Sequence, residues 1–145
     1  MDRDQSVQFM HSLLRAMLSK KASDLFVSAG FPPALKIDGK MTPVSSQALT
    51  PQMTADLTRA MMSDKQAKEF EATKECNFAV APTGIGRFRA SAFVQQGRVG
   101  MVLRTITTAI PSLDELKLPQ ILKEIAMSKR GLVIFAGGTG CGKST

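Results

Sequence analysis

The sequence ends in the run Gly131-Leu-Val-Ile-Phe-Ala-Gly-Gly-Thr-Gly-Cys-Gly-Lys-Ser-Thr145. Leu132 to Ala136 reads as a short buried strand running into a glycine-rich loop. The loop fits G-x-x-x-x-G-K-[ST], with Gly137, Gly142, Lys143 and Ser144 at the fixed places. Glycines let the backbone curl so that the N–H groups of Gly137, Gly138, Thr139, Gly140, Cys141 and Gly142 converge on a phosphate chain. Lys143 brings a positive charge to the β/γ-phosphates and Ser144 a hydroxyl to Mg²⁺. Thr145 opens the helix whose N-terminus also favours an anion. The motif needs strand, loop and helix in that order, and the apolar run before it meets the first requirement.

A phosphate-binding α/β domain closes its sheet with several further βα units. None comes after Thr145, so the sequence reads as a fragment, truncated at this loop.

Working back from the loop, Lys129-Arg130-Gly131 terminates a helix that begins after Leu118-Pro119 and runs to about Met127. Ser112 and Glu115 have capping-box spacing. Thr107-Thr-Ala-Ile-Pro111 reads as a linker, so the domains divide as 1–106, a linker at 107–111, and 112–145. The first domain opens on apolar residues at helical spacing, Val7, Met10, Leu13, Leu14, Met17 and Leu18, which predict a helix over 3–20. Its methionines are core filling. His11, the single histidine, lies on this helix and has no catalytic company. Strands are expected at 22–28 and 34–37. Asp38-Gly39 makes a tight turn into Met41. Thr50 with Pro51 starts one helix, and Ser63 with Gln66 starts another over about 64–72. The reading is a small α+β domain followed by the opening of an α/β domain.

Residues 76–106 carry the second informative pattern. Strands at 76–81, 87–95 and 98–106 are separated by Thr83-Gly-Ile-Gly86 and by Gln96-Gly97. With Gln96-Gly97 as a two-residue hairpin loop, Phe88, Ala90, Ala92 and Val94 share an apolar face with Thr105, Leu103, Met101 and Val99. The opposite face then holds Arg87 and Arg89, with Arg104 directly across from Arg89. Like charges facing each other weaken a ladder. Two readings stay open: a solvated arginine face with local Asp or Glu partners, or an anion site, since guanidinium forks suit phosphate oxygens.

Composition excludes several classes. With 43% hydrophobic and 21% charged residues the chain has material for a core and is not a disordered tail. No apolar run approaches the roughly 18 residues of a membrane span, and the polar start lacks a signal-peptide core, which predicts a cytoplasmic protein. Cys76 and Cys141 match no metal spacing and read as free thiols. The net charge of +7 is spread along the chain, and there is no Tyr or Trp to stack on bases. No nucleic-acid partner is therefore expected.

Several runs together resemble one family. These are Ala22-Ser-Asp-Leu25, Gly86-Arg-Phe-Arg-Ala-Ser-Ala-Phe93, Leu103-Arg-Thr-Ile106, Ile110-Pro-Ser-Leu-Asp-Glu-Leu116 and the terminal loop. They are similar to the type IV pilus retraction ATPases, the PilT/PilU group of the secretion-type ATPases. The run Ile125-Ala-Met-Ser-Lys-Arg-Gly-Leu-Val-Ile-Phe135 is closer to the PilU branch. The resemblance implies a PAS-like N-terminal domain, an antiparallel sheet with helices, before a RecA-like P-loop ATPase domain. It implies a homo-hexameric motor that hydrolyses ATP with Mg²⁺ and drives pilus retraction in twitching motility. Such a motor is cytoplasmic and peripheral at the inner membrane. Its implied partners are a related retraction ATPase and the inner-membrane pilus platform protein. Family arginines that reach the nucleotide phosphates correspond to Arg89 and Arg104, with Arg87 third; Lys143 completes the catalytic set. An accessory, mainly non-catalytic subunit of a second pilus motor is the alternative. Phe26 stands where the family often has His, and Gly138 and Cys141 stand where Pro and Ser are common. The remaining acidic and histidine motifs of the family lie beyond Thr145, and the fragment by itself is expected to be inactive.

Overall fold

The structure is a computed structural model, and it describes residues 1–107, 109–138 and 142. The chain divides into two compact units, Met1–Thr108 and Ala109–Thr145.

The first unit begins with α1, Arg3–Ser19, whose N-cap Asp2 accepts a hydrogen bond from the Gln5 amide at 2.8 Å. A carboxylate there satisfies an orphan N–H and complements the helix dipole. The middle of the predicted stripe is buried: Met10, Leu13, Leu14 and Met17 are all at most 3% exposed, while Val7 and Leu18 at its ends are half-buried. Next come β1 (Asp24–Ser28), β2 (Ala34–Ile37) and β3 (Lys40–Pro43). Asp38 and Gly39 both have positive φ, +48° and +79°, the type I′ geometry that matches strand twist. Then α2 (Pro51–Ala60) starts on Thr50, and α3 (Asp64–Thr73) on the Ser63–Gln66 box, both bonds of which form. The last strands are β4 (Glu75–Val80), β5 (Phe88–Gln95) and β6 (Arg98–Thr105).

The six strands form one antiparallel sheet, β3-β2-β1-β6-β5-β4. Strands from the two ends of the unit, β1 and β6, meet at its centre. The hairpin register is as expected: Phe88 pairs with Thr105, Arg89 with Arg104, Ala90 with Leu103 and Ala92 with Met101. Gln96 and Gly97, at φ +51° and +72°, make the turn. One sheet face packs on the helices. Leu25, Val27, Phe88, Ala90, Met101 and Leu103 from the strands meet Met10, Leu14, Met17 and Leu57 from α1 and α2, nearly all of them wholly buried. The other face carries the alternate residues and holds the arginines.

In the second unit the Ser112–Glu115 box forms. The Glu115 amide donates to Ser112 Oγ at 3.2 Å, and Glu115 Oε2 accepts from the Ser112 amide at 2.7 Å. It heads a run of turns, and the helix after Pro119 is α4, Ile121–Ala126. The expected strand Leu132–Ala136 is not formed: these residues have no ladder partner among the described residues. Leu132, Val133, Ile134 and Phe135 are 49–82% exposed. A strand's N–H and C=O groups are satisfied by its neighbours, and an apolar run without them has nothing to pair with.

Candidate functional site

Four side chains line up across four strands on the open face of the sheet. The cross-strand partners are Lys36 with Asp24, Asp24 with Arg104, and Arg104 with Arg89. Alternation along each strand puts all four on the same side as Phe26 and Val102, away from the core. Arg87 lies two residues before Arg89, just ahead of β5 and outside this row, where its carbonyl accepts the Ile106 amide at 2.9 Å.

Asp24 is the fixed point of the row. It is 5% exposed, yet both of its oxygens are engaged. Arg104 Nε donates to Oδ1 at 2.8 Å and Ser23 Oγ donates to Oδ2 at 2.8 Å. Burial pushes the Asp24 carboxyl up. The bonds from Ser23 and Arg104, with the charges of Arg104 and Lys36, outweigh burial and hold it below the ordinary carboxylate value. The Arg104 side chain is 73% exposed, and its two Nη groups make no hydrogen bond among the described residues. Arg87 and Arg89 are exposed and form no ion pair among the described residues. The site therefore presents three guanidinium groups against one carboxylate.

Of the two readings of this face, the structure supplies a local acid for Arg104 and none for Arg87 or Arg89 among the described residues. Sequence reasoning missed Asp24 as a partner. Its signal was an Asp flanked by Ser and Leu inside a strand, where a carboxylate needs a reason to be buried.

Within the loop, Gly137 and Gly138 are exposed. Gly142 has φ +87°, a conformation that glycine adopts without steric cost and that a phosphate-cradling loop uses. Thr139, Gly140, Cys141, Lys143, Ser144 and Thr145 lie outside the described residues. Among the described residues no three His, Cys, Asp or Glu side chains come together to hold a metal. Guanidinium forks left open in this way have the geometry that suits phosphate oxygens. Cys76 is a buried free thiol, and burial, followed by the Glu69 charge, pushes it up and keeps it unreactive. Phe26 lines a cavity of about 520 Å³ on the open face together with Phe31, Ala34, Met41 and Phe93. Among the described residues no helix is long and apolar enough to cross a membrane.

No family model matches the chain. Individual proteins do. The chain is 54% identical to the type IV pilus ATPase PilU of Pseudomonas aeruginosa, over 92% of its own length and 35% of that protein's. It is 38% identical to the pilus retraction ATPase PilT of the same organism, over 92% of its length and 39% of PilT's. Among solved structures it matches the pilus retraction motor PilT with bound ADP at 36% identity and a TM-score of 0.82, over 93% of this chain and 40% of that one. The chain thus spans between a third and two fifths of the length of these relatives. By sequence and by fold the chain is similar to the PilT/PilU group of type IV pilus ATPases, and it matches the N-terminal domain of PilT.

Proposed function

We propose that the chain is the N-terminal part of an ATP-hydrolysing, hexameric motor subunit that drives type IV pilus retraction. It would work in the cytoplasm, peripheral to the inner membrane, beside a related retraction ATPase and the pilus platform protein. The observation that carries this is the 54% identity to PilU across 92% of the chain, joined to the phosphate-loop pattern at its end.

The chemistry is phosphoryl transfer to water, which rests on positioning and charge neutralisation. The backbone N–H groups from Gly137 to Gly142 hold the phosphates and Lys143 neutralises them. Ser144 would hold Mg²⁺, which would supply charge neutralisation at the phosphates. Arg89 and Arg104, with Arg87 beside them, offer guanidinium forks that suit phosphate oxygens. These two groups of residues lie in different units of the chain.

The deciding experiment is ATP turnover by the full-length protein, native and Lys143→Ala, alone and with its nearest paralogous motor. Lysine-dependent turnover by the protein alone supports the motor reading. Turnover only in the presence of the paralogue, or none at all, would replace it with an accessory subunit. The higher identity to PilU than to PilT makes that the relevant second reading.

A further inference from the structure

We infer that Asp24 is a positioning residue for nucleotide hydrolysis: it grips Arg104 by Nε so that both terminal amino groups stay free and aimed outward. This rests on the proposed contact between Arg104 and phosphate.

A guanidinium has one Nε–H on its side and a fork of Nη groups at its end. A carboxylate can take the fork end-on, which would consume the groups that a phosphate needs. Here the contact is from the side, through Nε at 2.8 Å. The carboxylate cannot follow the arginine outward. It is 5% exposed, its second oxygen is held by Ser23 Oγ at 2.8 Å, and its backbone sits in β1, one of the two central strands. Arg104 is flanked on its other side by Arg89, whose charge disfavours any swing that way. Asp24 and Arg89 together leave Arg104 one favourable direction, out from the sheet. Preorganised donors need no rearrangement when charge develops on the phosphate oxygens, which is the economical way to stabilise a transition state.

A purely structural alternative is that Asp24 staples β1 to β6. The two roles separate in a double-mutant cycle on full-length protein, measuring kcat and KM for ATP with Asp24→Asn, Arg104→Ala and the pair. If Asp24 acts through Arg104, Asp24→Asn lowers kcat by about five- to tenfold and KM by less than about twofold in the native background. In the Arg104→Ala background it then adds less than about twofold. An equal loss in both backgrounds, or no loss, overturns the inference. Native turnover by Arg104→Ala overturns the phosphate contact itself and the inference with it. A defective Arg104→Ala beside an unaffected Asp24→Asn overturns the inference alone. Should Asp24→Asn fail to fold, Ser23→Ala serves instead, because Ser23 is exposed and its hydroxyl gives up only the Oδ2 bond and a longer one, 3.3 Å, to the Lys36 carbonyl. A kcat loss of about two- to threefold that disappears in the Arg104→Ala background is the expected result. No loss, or one that persists there, overturns the inference.

Discussion

Arg89 stands directly opposite Arg104 in the β5–β6 ladder, while Arg104 gives its Nε to Asp24 on the other flank of β6. The row is thus ordered Lys36, Asp24, Arg104, Arg89 across the sheet, with its single acid between two of its three cations. The end of the row at Arg89 is left with an uncompensated positive charge. Exposure softens the repulsion between the two guanidinium groups but does not remove it. A fold selected for stability alone has easy remedies at an exposed strand position, and none is used here.

Asp24 also makes a specific prediction about acid. Its carboxyl is held below the ordinary value of about 3.9. A group whose folded-state value is depressed contributes stability above its unfolded value and loses it as pH falls through the folded one. The native protein should therefore lose thermal stability below about pH 4, and Asp24→Asn should show a flatter fall over the same range. Melting midpoints of the two proteins between about pH 7 and pH 2.5 test this. Parallel curves would mean that the Asp24 pair contributes nothing to folding.

Phe88 is fully buried at the start of β5, among core residues of the sheet and α1, whereas Phe31 is 67% exposed. Phe88 is the largest fully buried side chain among the described residues, and Phe88→Ala leaves a cavity at a cost of about 3–5 kcal/mol. That is a large share of the roughly 5–15 kcal/mol by which domains are stable. Phe31→Ala should stay within about 0.5 kcal/mol. Urea midpoints at unchanged slope give both numbers.

Local chemistry made most of the first unit readable. Asp38-Gly39 and Gln96-Gly97 announced their turns because only certain residues tolerate positive φ. Once the second turn was placed, strand alternation fixed which residues face the core and put Arg89 opposite Arg104. Asp24 was hidden because its partner lies 80 residues away. Periodicity says that a strand has a buried face, and it does not say which distant strand lies alongside. The same blindness explains Leu132–Ala136. The apolar run is strand-like in composition, but a strand exists only with a neighbour, and none is available among the described residues. The lysine and serine of the loop were legible purely as a pattern, and they lie outside the described residues.

Gly100 and Phe93 test how tightly the open face is packed. They are cross-strand partners, and a Cβ on Gly100 would come within 2.9 Å of the Phe93 ring. Ordinary strand propensity favours Ala over Gly by about 0.5–1 kcal/mol. Displacing the ring from its rotamer costs about 0.5–1.5 kcal/mol. Gly100→Ala should therefore be neutral or mildly destabilising in the native background, and stabilising once Phe93→Ala has cleared the ring. A cycle of four melting curves reads the sign change, and additive effects would show that the ring moves freely.

Arg89→Glu separates the two readings of the arginine face most sharply. The substitution replaces a like-charge pair with an opposite-charge pair at the Arg89–Arg104 position. Cross-strand pairs of this kind are worth about 0.2–1 kcal/mol, and the exposure of both side chains keeps the value at the low end. The sheet should become slightly more stable, by an amount that shrinks as salt is added. If the face is only solvated surface, turnover by the full-length protein should be unchanged. If Arg89 and Arg104 receive phosphate, the new carboxylate both removes one fork and draws the other inward. ATP turnover should then fall by about a hundredfold or more, as it does when a preorganised donor to a developing charge is lost. A protein that is more stable yet inactive is the predicted outcome. A protein that is more stable and fully active would return the arginines to the status of surface residues.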